Sequence, residues 1–377
     1  MYRKNQLLLA LTAATALLCT CSQPKPHNAY SLLVSGYTTD VSRQGMSAFV
    51  LEISPEQIAL SPRWSDTIAV NPSFVALSPD KRFAYAVQEC GAASAVIAFA
   101  VDSAQCTLSQ LNTVPSDDAC HVAVSERHVI TASYASGTVS VYERLADGAL
   151  GRLLQTLVDT GKSVVVGRQD SPHVHQTIFS PDGKFVYVND LGTDEVSAYA
   201  YHANEDANVL QRQSTLRFAA GSGPRHSVVA AAGNMLYTLN EISATLCAVA
   251  ADNSGQLSLQ QTLPLASHAA PGGADLHLSP DGKFLYATNR DTANVIELFA
   301  LNADGSLRSV ESQLSGGKHP RNFAITRDGK YVLVANRDSH SITIFLRDAI
   351  SGRLTNTGLN VDAEQMGVGA PTCVVEI

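Results

Sequence analysis

The sequence predicts an all-β fold, a seven-bladed β-propeller forming one domain. Three observations predict it: a turn phrase repeated along the chain, four short strand-like runs per repeat, and chain ends that complement each other. The phrase is clearest in Ser180–Asn189 and Ser279–Thr288, which both begin Ser-Pro-Asp-Gly-Lys-Phe. Ser78–Val87 and Thr326–Ala335 are further copies, Ser125–Ala132 and Ala230–Leu239 are degenerate ones, and Ser31–Val34 is a partial one. Proline sets φ and glycine accepts positive φ, so Pro-Asp-Gly makes a tight turn. Runs rich in Val, Tyr, Phe and Leu flank the turn, as in a β-hairpin. A third run follows, as in Glu195–Tyr199, Val295–Phe299 and Ser341–Phe345, and a fourth opens after Asp304-Gly305 or Ser351-Gly352. Seven such units of roughly 50 residues fill the chain. The terminal Ala370–Ile377 matches an innermost strand whose partners open at Tyr30. Both ends then share one blade and close the ring, which protects sheet edges.

The N-terminus stands outside this pattern. Arg3 and Lys4 precede the apolar run Leu7–Leu18, which ends in Leu18-Cys19-Thr20-Cys21. That run is too short to span a bilayer comfortably and fits a signal segment. The whole reads as a bacterial lipoprotein signal over residues 1–20, with Cys21 lipidated. Residues 21–29 then form a tether and 30–377 the propeller. The expected location is the cell envelope, anchored through Cys21 on a periplasmic or outer-membrane face; an unprocessed chain stays in the cytoplasm. The membrane is a partner through the anchor alone.

Composition narrows the function further. The 377 residues would by length suggest two or three domains, which the repeat reduces to one. Hydrophobic residues make up 45% and charged residues 16%, which excludes a disordered chain or a coiled coil. A net charge of −8 gives no electrostatic case for nucleic-acid binding. No helical periodicity follows the signal, so a βαβ enzyme is not expected. Cys90, Cys106, Cys120, Cys247 and Cys373 carry no CxxC or zinc spacing and read as small buried hydrophobes, with Cys90–Cys106 one conceivable disulfide. Oligomeric state is not legible.

Aligning the repeats produces columns of side chains. Five positions before the repeat's Ser or Thr stand Ser73, Cys120, His175, Arg225, Ala274, Arg321 and, in the terminal strand, Thr372. The next column holds Phe74, His121, Gln176, His226, Asp275, Asn322 and Cys373. After the second strand come Tyr37, Glu89, Tyr134, Leu191, Glu241, Arg290 and Arg337. In a propeller the innermost strands line a central channel, so one end of every such strand converges on one mouth. Water can satisfy polar residues there, and many propellers bind ligands at a charged mouth without chemistry. His175, Arg225, Glu241 and Arg290 together point to a site.

At these residues the sequence resembles the seven-bladed propeller lactonase family, which contains bacterial propeller-type 6-phosphogluconolactonases and fungal carboxy-muconate cyclases. The segments that carry it are Asn71–Asp80, Cys120–Val124, Pro172–Gln176, Asn189–Gly192, Gly221–His226, Asn240-Glu241, Asn289–Asp291 and His319–Asn322, which spread over nearly all of residues 30–377. The resemblance implies hydrolysis of a sugar lactone, 6-phospho-D-glucono-1,5-lactone foremost. It also implies a site of one His, two Arg and one Glu: His175 (or His173), Arg225, Arg290 and Glu241. Two features depart from the family pattern. Ser125–His128 lacks the turn's Pro-Asp-Gly, and a lipoprotein signal is foreign to a cytosolic sugar-phosphate route.

Lactone hydrolysis transfers an acyl group to water. The carbonyl oxygen gains charge, which guanidinium donors at Arg225 and Arg290 would meet. An imidazole near pKa ~6.5 needs no tuning to act as base, so His175 is expected to serve as base and acid, with Glu241 orienting it or the water. Arg321 and Arg337 are expected as anion contacts, and His226, Glu89, His121 and Asp275 as further substrate contacts. The chemistry needs no cofactor and no metal. Two other readings stay open: a non-catalytic envelope protein that binds a sugar acid, and an enzyme that lactonizes a muconate.

Overall fold

A computed structural model describes residues 28–38, 44–54 and 57–377. The signal, Cys21 and most of the tether lie outside the described residues. The described chain forms seven four-stranded antiparallel sheets. Blade one joins Asn28–Tyr37, Met46–Ile53 and Ile58–Asp66 to the C-terminal strand Ala370–Glu376, which supplies its innermost position. Six further blades follow in order, with innermost strands Pro72–Leu77, Ala119–Val124, Val174–Phe179, Pro224–Val229, Gly273–Leu278 and Pro320–Ile325. The seam runs from Leu32 opposite Glu376 to Tyr37 opposite Ala370.

The repeated phrase earns its place in the first hairpin of each blade. Ser180 Oγ donates to Asp182 Oδ1 at 2.7 Å and accepts from Phe185 N at 3.0 Å. Ser78, Ser279 and Thr326 make the same pair of bonds. Gly183, Gly282 and Gly329 sit at φ of 67°, 68° and 70°, where only glycine is unstrained; Lys81 holds the equivalent turn at 57°. The degenerate Ser125 copy keeps the hydroxyl that accepts from His128 N at 2.9 Å, which explains how it turns without Pro-Asp-Gly.

Hydrophobic packing lies between blades. Seven apolar clusters each join neighbouring sheets, for example Tyr30, Leu32 and Phe49 with Tyr331, Leu333 and Ile344 across the closing seam. Outer strands add clips the repeat phrase does not announce. Gln155 bonds both the N–H and the C=O of Leu210 in the next blade, at 2.8 and 3.0 Å, and Gln261 does the same to Leu307. Sheets locked this way hold strand ends in a fixed ring. Cys90 and Cys106 are both free thiols, so the disulfide conceivable from sequence does not form.

One backbone detail positions the site. Each innermost strand shifts register next to its second strand near its start. The shift falls between Pro72 and Phe74, Ala119 and His121, Val174 and Gln176, Pro224 and His226, and Pro320 and Asn322. The extra residue of the bulge is Ser73, Cys120, His175, Arg225 or Arg321, the members of the first sequence column. A bulge re-aims the side chain it carries, and such bulges gather at active sites.

Candidate active site

The bulge residues and the loops after the second strands enclose a cavity of about 250 Å³ at one channel mouth. It is lined by Glu89, Asp118, Cys120, Tyr134, Ala135, Arg168, His175, Glu241, Arg290 and Arg321. At its base Arg225 is 2% exposed. Its Nη1 donates to Ala274 O in the neighbouring blade.

Glu241 is the hub. Its Oε2 lies 3.1 Å from Arg225 Nε and 2.5 Å from Arg290 Nη2, and its Oε1 accepts from Arg168 Nη2. The Arg225 Nε contact is ionic, without hydrogen-bond alignment. Burial opposes the charge on Glu241, but Arg290, Arg225 and Arg168 outweigh it and hold the carboxyl down at about 2. Both oxygens of Glu241 thus serve arginines and neither bonds His175. That corrects the expectation that Glu241 orients the imidazole.

His175 is 6% exposed. Its Nδ1 is buried without a partner, so Nε2 is the nitrogen left for a bound molecule. Burial, followed by the charges of Arg225, His226, Arg321 and Arg290, pushes its pKa well below the usual histidine range. The environment therefore tunes this ring strongly, contrary to the expectation from sequence. It stays neutral at pH 7, a weak base but an available one. His173, the alternative, does not line the cavity: its ring stacks on Tyr134 at 4.3 Å and its Nδ1 meets Tyr134 O at 2.8 Å.

Arg321 and Glu89 face each other through Tyr37. Arg321 Nη2 donates to Tyr37 Oη at 3.2 Å, and Tyr37 Oη donates to Glu89 Oε2 at 2.9 Å. Ser73 Oγ holds the other Glu89 oxygen at 2.5 Å. Cys120 also lines the cavity, but burial pushes its thiol up to about 12, so it is no nucleophile at neutral pH.

His121, His226 and Asp275 lie one layer deeper than expected from sequence and do not line this cavity. They border a second cavity of about 430 Å³ along the innermost strands. Asp275 accepts from His226 Nδ1 at 2.8 Å, His277 Nε2 at 2.9 Å and Asn322 Nδ2 at 2.6 Å. His226 Nε2 in turn lies 3.3 Å from Arg225 Nη1. Since guanidinium only donates, His226 accepts there and carries its proton on Nδ1. Arg225 is thus propped from below by a histidine whose tautomer Asp275 sets. Arg337 also departs from its expected place: it pairs with Asp338 at 2.7 Å and approaches His319 Nδ1 at 3.3 Å, away from the cavity lining.

Arg168 was not anticipated. It comes from the 159–173 connection, the longest between an outer strand and the next innermost one. That segment lies outside the repeat, so no column contains it. Its length and its lone Arg-Gln pair were the available signals.

A closed seven-bladed ring with a buried arginine–carboxylate cluster at one mouth defines a β-propeller with a candidate small-molecule site. The sequence matches the lactonase, 7-bladed beta-propeller family over residues 31–376, and the chain belongs to that family. A 6-phosphogluconolactonase of Formosa agariphila is 32% identical over 296 residues, covering 76% of this chain and 84% of that protein. The 6-phosphogluconolactonase of Bacillus subtilis is 28% identical over 330 residues, 85% of this chain and 93% of that one. The solved structure of a periplasmic gluconolactonase from Pseudomonas aeruginosa superposes with a TM-score of 0.84 at 31% identity, covering 93% of this chain and 99% of that one.

Proposed function

We propose that the protein hydrolyses a sugar δ-lactone, with 6-phospho-D-glucono-1,5-lactone the leading substrate, at the Glu241–arginine mouth. The observation that carries the reading is three guanidiniums converging on one carboxylate beside a neutral, cavity-lining His175. Water attacks the lactone carbonyl while His175 Nε2 takes its proton. Negative charge moves to the carbonyl oxygen, where Arg290, with Arg225 behind it, offers preorganised positive charge on buried side chains. The tetrahedral intermediate collapses, the ring C–O bond breaks, and His175 returns the proton to the leaving ring oxygen. The product is a hydroxy acid, ionised as its carboxylate. A strongly depressed imidazole is a poor base, so the arginines carry more of the rate enhancement than His175 does.

The envelope location belongs to the same reading. The lipoprotein-type N-terminus supports it, as does the periplasmic P. aeruginosa relative. The test is proton release from δ-lactones, with and without a 6-phosphate, measured in a pH-stat against spontaneous opening. The protein lacking residues 1–21 should open them well above background, and an Arg225→Ala/His175→Ala double variant should not. Full activity in that variant would sink the assigned site.

A further inference from the structure

Arg168 differs from the other arginines of the mouth. Arg225, Arg290 and Arg321 stand at strand bulges or strand ends, whereas Arg168 hangs from a connection with its side chain 46% exposed. Its base is nonetheless fixed. The neighbouring Gln169 is fully buried and donates from Nε2 to Leu191 O at 2.8 Å and to Asp194 Oδ1 at 2.7 Å. Asp194 also accepts from Ser163 Oγ and from the N–H groups of Gly221 and Gly223 at 2.8 and 2.7 Å. One buried carboxylate therefore staples the Arg168 connection to the turn that precedes Arg225. The backbone is held while the guanidinium reaches into the mouth, beside Tyr134.

The mouth leaves Arg168 room for a ligand. Only Nη2 of Arg168 meets Glu241, and the side chain stays half-exposed at the rim of the cavity it lines. Arg225 and Arg290 lie deeper and are held by the same carboxylate, next to where the oxyanion of a lactone under attack would form. A neutral lactone offers Arg168 no charge of its own to bind. Arg168 is the partner of Glu241 nearest solvent, its side chain 46% exposed against 8% for Arg290 and 3% for Arg225, so a bound anion can draw it away while Glu241 keeps the two buried arginines.

We propose that Arg168 forms an anion subsite at the mouth: it exchanges Glu241 for a permanent anionic group of the substrate, a phosphate or carboxylate remote from the lactone carbonyl. This rests on the lactonase reading above and names what selects the substrate within it. The planar donor fork of arginine matches phosphate and carboxylate oxygens in pairs, which gives orientation as well as attraction.

The experiment compares wild type, Arg168→Gln and Arg168→Lys on three lactones: 6-phosphoglucono-δ-lactone, a glucarolactone with a free carboxylate, and neutral glucono-δ-lactone. The preference in kcat/KM for an anionic over the neutral lactone should fall about 10–100-fold in Arg168→Gln, through KM more than kcat, and recover in part with Lys. The anionic lactone that loses more tells phosphate from carboxylate. Equal losses on all three lactones, or an unchanged preference, would overturn the subsite. Calorimetric binding of 6-phosphogluconate, glucarate and gluconate tests it without turnover, with thermal melting as the check on folding. A wild type that opens no lactone yet prefers an anionic ligand through Arg168 removes the hydrolysis reading and keeps the subsite. A lactonase whose preference survives Arg168→Gln does the reverse.

Discussion

Replacing Glu241 by glutamine should destabilise the fold in a pH-dependent way. The carboxyl is buried and its pKa falls from the ordinary 4.5 to about 2. A group depressed in the folded state stabilises above its unfolded pKa and loses that contribution as pH falls through the folded one. The shift corresponds to about 3 kcal/mol at pH 7, of which about 1 kcal/mol remains at pH 3. Glu241→Gln also removes the carboxylate that supports the charges on Arg225, Arg290 and Arg168, but those titrate on the alkaline side, so the change between pH 5 and 3 reports Glu241. Urea unfolding at pH 7, 5, 4 and 3 should show a gap near its maximum at pH 7 and 5 that then closes toward pH 3. With an unfolding entropy near 0.7 kcal/mol/K for roughly 340 residues, the same gap is a Tm loss of about 4 °C at neutral pH. Added phosphate should recover part of the loss, because an anion can replace the missing charge. A gap that stays constant from pH 7 to pH 3, or one below ~0.5 kcal/mol, would refute the account of Glu241 as the charge that holds three arginines.

Other outcomes follow from the same geometry. His175→Ala should lower kcat/KM about 10²-fold, and the wild-type pH profile should stay flat through pH 7 to 6. Because burial and the arginines depress His175, its neutral form persists as pH falls, so an acid limb centred at 6.5 or above would contradict its role. Asp275→Asn should cost roughly 1–3 kcal/mol in urea unfolding and weaken catalysis as well, since it releases the His226 tautomer beneath Arg225; an effect on stability alone would separate that layer from the site. Thiol-specific reagents should leave Cys120 unmodified in the native protein at pH 8, and inactivation by them would contradict its burial. Removing residues 370–377 should abolish soluble expression, as blade one would lose its innermost strand and the ring its closure.

Much of the fold was legible because the repeat writes local physics seven times. Ser180-Pro-Asp-Gly183 specifies a turn, Phe185–Val188 a strand, and repetition specifies the ring. The clips made by Gln155 and Gln261 were not legible, since a glutamine on an outer strand looks like any solvated residue. The site was partly legible for the same reason as the fold. The first and third columns held His175, Arg225, Glu241, Arg290, Arg321 and Glu89, all of which meet at one mouth. The second column misled. His121, His226 and Asp275 are neighbours in sequence of bulge residues, yet a residue beside a bulge points along the channel wall, not into the mouth. Arg337 shares a column with Glu241 but is drawn aside by Asp338 on its own short helical turn. Arg168 belongs to no repeat and had no column to reveal it.

The bulge is what lets a stability-driven scaffold carry so much charge. At a bulge the extra residue leaves the hydrogen-bond ladder, so its side chain turns inward whatever it is, and the strand resumes its pattern one residue later. Ser73, Cys120, His175, Arg225 and Arg321 can therefore differ completely in chemistry while their blades keep one geometry. Gathering cations at these points would be costly without compensation, since a buried unpaired charge destabilises by several kcal/mol. Compensation comes from two directions: Glu241, at the end of a second strand, faces Arg225 from the mouth, and the Asp275–His226 pair supports it from beneath. Arg225 is the only arginine of the mouth that touches both. Its guanidinium position is thus set jointly by a carboxylate at the mouth and by a layer outside the lining of that mouth, which makes the layer beneath part of how the site recognises charge.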